Sequence, residues 1–164
     1  MSEIYKHRRA PASYDLCVSN LLNISRKNVM ITKLTHAGVL VLDLDSAYDF
    51  YVGKLGFEVR TDVTFDGQRW LTVGPEGQPD MEIVLTHVSS NGRLSDEETK
   101  LLSKMVSKGT FGWGVFGCED LDSTYKKLEE KGVEFSKGPT REHYGYEAVF
   151  KDDSGNWFSL VENE

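Results

Sequence analysis

The chain is poor in the features that mark several classes of protein. Of 164 residues only two are cysteine, Cys17 and Cys118. They form no CxxC and keep no metal-ligand spacing, so they read as two reduced thiols inside a cell. No apolar run approaches the length of a transmembrane helix, and no charged–apolar–small signal opens the chain. An excess of basic residues is also missing: 19 Lys and Arg stand against 26 Asp and Glu, a formal net charge of −7. That argues against a nucleic-acid partner, which asks for a basic face. There is no nucleophile–base arrangement, no Gly-rich phosphate loop and no dinucleotide fingerprint. These absences leave a cytoplasmic protein with a small-molecule ligand and neither nucleic acid nor membrane as partner.

What is there divides unevenly. Residues 1–29 are set apart by the basic, Pro-containing start MSEIYKHRRAPASYD and by LCVSNLLNISRKN, which can form one short amphipathic helix. They read as a flexible N-terminal arm, or as an extension ahead of a start at Met30. From Met30 to Glu164 the chain reads as a single domain.

Inside it one phrase occurs twice, DLDSAY at 43–48 and DLDSTY at 120–125. Each opens a helix between a preceding strand and three following ones. The first copy, 30–88, runs ITKLTHAGVLVLD (strand), DLDSAYDFYVGKLG (helix), FEVRTDVTF, RWLTVG and MEIVLTHV (strands). Ser46 or Asp45 is the expected cap of its helix and Gly56 its stop. The second copy, 111–164, runs FGWGVFGCED, DLDSTYKKLEEKG, VEFSKGPT (a strand with a turn), YGYEAVFK and WFSLVE. Between them, at 89–110, Ser95 and Glu98 form a capping box ahead of a helical connector. The copies lie 77 residues apart at the helix start and 76 apart at its end. A one-residue slip in the helix end and its loops accounts for the difference. Setting the last strands back at 77 lays MEIVL over FSLVE.

These residues resemble the vicinal oxygen chelate superfamily, which includes glyoxalase I, bleomycin-resistance proteins and extradiol dioxygenases. DLDSAYDFYVGKLGFEV resembles its first module, and DLDSTYKKLEEKGVEF with FKDDSGNWFSLVE its second, over about 33–162. The resemblance implies an α+β fold of two βαβββ modules forming an eight-stranded, U-shaped open barrel, and a homodimer. In metal-using members, four ligands stand on the first and last strands of the modules. Here those positions are His36, Glu82, Trp113 (at 36 plus 77) and Ser159 (at 82 plus 77). An indole offers only an N–H donor, and a serine hydroxyl is a poor ligand for a divalent ion. The cofactor is therefore none, or a weakly held Zn, Ni, Fe or Mn on His36 and Glu82.

Two readings follow. One is a binder of an aromatic or amphipathic molecule, with His36 and Glu82 as a polar pair. The other is a metal-dependent lyase, isomerase or dioxygenase, with the same two residues as catalytic groups. Strand alternation turns His36, Gly38, Leu40, Glu82, Val84, Trp113, Val115, Trp157, Ser159 and Val161 to the cleft. Trp113 is a stacking surface or a filler, and for Trp157 filling space is the plainer role. One of Arg69 and Trp70, and one of Tyr144 and Tyr146, faces the cavity. Arg69 there would receive an anion. Glu147 is a further candidate, and His87, His143 and His7 are surface residues. The DDSGN segment is a structural turn.

Overall fold

Alternation of apolar side chains sets the two faces of the first and last strands. In HAGVLV, Val39 and Val41 are buried while His36 and Gly38 are exposed. In WFSLVE, Phe158 and Leu160 are buried. The computed structural model describes residues 33–89, 92, 94–110 and 114–163. The expected arm at 1–29, with His7 and Cys17, and the candidate Trp113 lie outside the described residues.

The elements in order are β1 His36–Val41, α1 Leu44–Tyr48 continuing as a π-helical segment Asp49–Lys54, β2 Glu58–Phe65, β3 Gln68–Gly74 and β4 Glu82–His87. Then come the connector helix α2 Asp96–Ser107, β5 Val115–Cys118, α3 Leu121–Glu130, β6 Glu134–Glu142, β7 Gly145–Lys151 and β8 Trp157–Glu162. They form two four-stranded sheets, β1-β4-β3-β2 and β5-β8-β7-β6. In each, the first strand runs parallel to the last and the other neighbours are antiparallel. The expected pair of βαβββ modules is present, and the sheets stay open rather than closing on themselves.

The helix caps correct the expected ones. Asp43, not Asp45 or Ser46, caps α1. Its backbone is extended and its carboxylate accepts the Ser46 amide at 2.7 Å. Asp120 does the same for Ser123 at 2.8 Å in module two. The first aspartate of DLDS wins because it alone sits before the first helical turn, within reach of the third amide. The connector helix keeps the predicted box of Ser95 and Glu98.

The one-residue difference between the copies lies in the C-terminal part of the first helix rather than in its loops. Leu55 donates to the carbonyl five residues back, Phe50, at 3.0 Å, and Phe57 donates to Tyr51 at 2.9 Å. The extra residue is taken up as a π turn. It brings the consecutive residues Phe50 and Tyr51 both into the core. At 77 residues on, α3 has exposed Lys127 and buried Leu128. Beyond the π turn the modules come back into step: Gly56 and Gly132 both have φ of +76°, a backbone that favours glycine and ends each helix.

Helix-facing side chains of both modules make one core. Phe50 stacks on Phe150, Tyr51 meets Phe158 edge-on, and Phe57 meets Phe116. Each such burial stabilises by about 1.5–3 kcal/mol. The opposite face of each sheet lies outside this core. A polar clasp joins the modules within this core. The Tyr51 hydroxyl donates to Asp152 at 2.9 Å, and Asp152 also accepts the amides of Ser154 and Asn156. Asn156 Nδ2 donates to the Leu40 carbonyl at 2.8 Å, and the Leu42 amide donates to Ser154 Oγ at 3.0 Å. The DDSGN turn is thus more than turn geometry, since it fastens module two to the end of β1. Gly155 within it has φ of +101°, and a Cβ there would lie 2.7 Å from the Ser107 carbonyl at the end of α2.

The expected turn inside VEFSKGPT is instead a pair of register slips within one continuous strand, between Phe135 and Lys137 and again before Thr140. Bulges let β6 carry Pro139 without ending.

The clasp generates a prediction. Tyr51→Phe should lower unfolding free energy by about 1–3 kcal/mol, because Asp152 loses a buried donor. Tyr146→Phe, whose hydroxyl bonds exposed Asp122, should cost clearly less; denaturant titration measures both. Burial, with Asp152 beside it, holds the Tyr51 phenol well above its ordinary value. The folded chain therefore keeps that proton more tightly than the unfolded one. The wild-type advantage over Tyr51→Phe should be full below about pH 10 and narrow above it.

Candidate functional site

The outer face of module one gathers the first set of candidates. His36 on β1 lies directly opposite Glu82 on β4 in the parallel register. His36 Nε2 is 3.6 Å from Glu82 Oε2. Buried Thr72, on the neighbouring β3, donates its hydroxyl to the same Glu82 oxygen at 2.6 Å. Beside this trio is a hollow of about 720 Å³, lined by Thr61, Val63, Phe65, Trp70, Val84 and Thr86 among others. Val63, Phe65 and Trp70 are exposed there, Trp70 to 47%. Large apolar side chains gathered on an open face mark a binding surface.

Of Arg69 and Trp70, it is Trp70 that faces the hollow. Arg69 borders it but points to the helix side of β3. Its Nε and Nη2 each meet Asp62 at 2.8 Å, its Nη1 meets Asp45 at 2.6 Å, and its guanidinium lies over the Tyr48 ring. Two carboxylates already neutralise it, so it is poorly placed to receive an anion. The hydrogen bond from Arg69 holds the Asp62 carboxyl below its ordinary range.

The outer face of module two holds a second cluster. Glu147, only 7% exposed, accepts the Tyr144 hydroxyl at 2.8 Å and Lys137 Nζ at 3.0 Å on one oxygen. Lys137 also meets Glu142 at 2.5 Å. Burial pushes the Glu147 carboxyl up, but Lys137, Tyr144 and Ser159 beside it outweigh burial and hold the group below its usual range. Trp157 and Val115 are exposed on this face. Tyr146 turns to the helix side, where it bonds Asp122. His143 is exposed with its ring edge-on to Tyr144, 4.7 Å between centroids, and half-buried His87 bonds Ser89.

Strand register corrects the module-to-module correspondence. Glu82 stands opposite His36, whereas Ser159 stands opposite Val115. With β1 laid on β5 at 77 residues, the counterpart of Glu82 is Trp157, and that of Ser159 is Val84. The antiparallel pairs agree, since Leu71 pairs with Leu85 and Ala148 with Leu160. The cause is the loop before the last strand. Residues 152–156 are two fewer than residues 75–81. An offset of two preserves the alternation of faces, so the expected inward and outward residues of β1, β4, β5 and β8 hold among the described residues although the pairing at 77 does not.

The donor set on each face does not fit a divalent ion. Glu82 already accepts from Thr72 and has one histidine beside it. Glu147 is neutralised by the Lys137 ammonium, which would repel a cation. No group of three or more His, Cys, Asp or Glu able to hold a metal occurs among the described residues. Sequence reasoning missed Thr72 and Lys137. Alternation across RWLTVG was the available signal for Thr72. Lys137 lies between the two β6 slips, where strand alternation alone does not fix the face of a side chain.

The neutralised state of Arg69 is directly measurable. In an NMR pH titration, Asp62 should titrate below the ordinary aspartate value of about 3.9 and return toward it in Arg69→Gln. An unchanged midpoint would show that the pair does not form.

With this geometry in hand, known proteins place the chain. The sequence profile described as Glyoxalase/Bleomycin resistance protein/Dioxygenase superfamily matches residues 33–160. The crystal structure of UcmS2 is 46% identical, covers 80% of this chain and 98% of its own, and superposes with a TM-score of 0.76. TnmS3, described as an antibiotic binding protein from Streptomyces sp. CB03234, is 27% identical with a TM-score of 0.66, over 84% of this chain and all of its own. The uncharacterized protein YurT of Bacillus subtilis is 32% identical over 79% of this chain and 98% of its own length. A profile match over most of the chain, with the paired βαβββ modules described above, makes this protein a member of the Glyoxalase/Bleomycin resistance protein/Dioxygenase superfamily.

Proposed function

We propose that this chain binds and sequesters a small aromatic or amphipathic molecule without a metal ion. The cleft would be completed by two copies, the apolar face of module one in one copy meeting the polar face of module two in the other. The observation that carries the reading is the Trp70 hollow, a large apolar concavity beside only two metal-type donors. An exposed indole gives a planar ligand a stacking surface at small entropic cost, and apolar concavities with a few polar groups are the usual make-up of ligand sites. That TnmS3 is an antibiotic binding protein supports the same reading here. Pairing of copies is supported by the apolar side chains left exposed on both faces, Val63, Phe65 and Trp70 on one and Val115 and Trp157 on the other.

A second reading, a metal-dependent lyase, isomerase or dioxygenase of the glyoxalase I type, is favoured by the His36–Glu82 pair alone. Those two residues would offer one nitrogen and one oxygen to Zn, Ni, Fe or Mn.

The readings part in one experiment. Protein dialysed against metal-free buffer should still bind a naphthalene probe, seen as a change in tryptophan fluorescence. Trp70→Ala should weaken that binding about tenfold, or about 1.4 kcal/mol. His36→Ala should leave it within about threefold. Binding that requires a restored divalent ion, or that collapses in His36→Ala, would favour the metal-dependent reading.

A further inference from the structure

We propose that the outer face of module two is an acceptor-biased subsite, selecting ligands whose polar end carries hydroxyl or N–H donors on an aromatic body. This rests on the reading that the open faces hold the ligand, and it specifies the chemistry of that ligand.

The argument is one of hydrogen-bond direction. A tyrosine or serine hydroxyl has a single hydrogen and two acceptor lone pairs. The Tyr144 hydrogen goes to Glu147. Its oxygen is left with lone pairs alone for anything that approaches the face. An ionised carboxylate only accepts, so Glu147 and Glu142 add no donor. Two of the three hydrogens of the Lys137 ammonium go to those same two carboxylates. One cation against two carboxylates leaves the cluster with a net negative charge, which also works against an anionic ligand end. On module one, the single hydroxyl hydrogen of buried Thr72 likewise goes to Glu82.

Glu147 is itself nearly buried, so it acts through Tyr144 as a positioning residue. A ligand that brings donors finds oriented acceptors. One that brings only acceptors leaves them facing lone pairs, and unmatched polar groups in a covered site are costly. Sites built to bond a hydroxyl discriminate strongly against analogues that lack it.

Calorimetric titration of the full-length protein with 2,3-dihydroxynaphthalene and 2,3-dimethoxynaphthalene tests this. The aromatic body is shared, and only the donors differ. The diol should bind about tenfold tighter or better. Tyr144→Phe, at an exposed position, should reduce that ratio to about threefold. Glu147→Gln should reduce it as well, because its amide can itself donate and so free a hydroxyl hydrogen. Lys137 keeps Glu142 in that variant, and its melting temperature should stay close to wild type. A purely structural role for Glu147 would weaken both probes alike and leave the ratio unchanged. Equal binding of the two probes to wild type, or a ratio unmoved in both variants, overturns the subsite while aromatic binding stands. Failure of both probes to bind overturns the aromatic-binding reading together with the subsite.

Discussion

The Tyr51–Asp152 hydrogen bond is the join on which the rest of the structure depends. It exists because a single extra residue in the first helix is absorbed as a π turn. That turn puts Phe50 and Tyr51 side by side in the core. Phe50 then stacks on a strand of module two, while Tyr51 reaches the turn ahead of β8. Asp152 organises that turn, and Asn156 and Ser154 from it hold Leu40 and Leu42 at the end of β1. A polar bond in an apolar core also fixes orientation, since a buried hydroxyl without its partner is costly. The modules are therefore set at one angle by a few specific bonds, with aromatic contacts supplying the bulk of the burial.

This join has a functional consequence. Because both modules turn their helix-facing sides into a common core, the opposite sheet faces are left uncovered. They differ in chemistry. Module one offers an apolar hollow with Trp70 and a small polar group of Thr72, Glu82 and His36. Module two offers a hydrogen-bonded cluster around Glu147. A duplicated scaffold with divergent faces suits a molecule with one flat apolar end and one polar end, and the union of the two faces would enclose it.

Much of the fold was legible in the sequence. The DLDSAY and DLDSTY repeat gave two modules, and period-two alternation gave the faces of β1, β4, β5 and β8. Local chemistry that acts within a few residues, such as the box at Ser95 and Glu98, was also readable. What escaped depends on length differences whose location a sequence leaves open. The extra residue of module one could sit anywhere between Asp43 and Gly56, and only hydrogen bonding places it in the helix. The two-residue difference before the last strand shifted the counterpart of Glu82 from Ser159 to Trp157. It did so without disturbing alternation, because a shift of two keeps the same face. At the site, His36, Glu82 and Ser159 stand on the expected faces. Arg69 was ambiguous because neighbouring residues on a strand face opposite ways, and the choice between it and Trp70 was made by Asp62 and Asp45, distant in sequence from one another.

The central claim is that two copies enclose an aromatic ligand with no metal ion. A native mass spectrum of protein purified with neither added metal nor chelator, recorded with a saturating naphthalene diol, tests it most directly. The account predicts a dimer carrying two ligand molecules and no divalent ion. A monomer that holds the ligand, or a species with one divalent ion per chain, would contradict it.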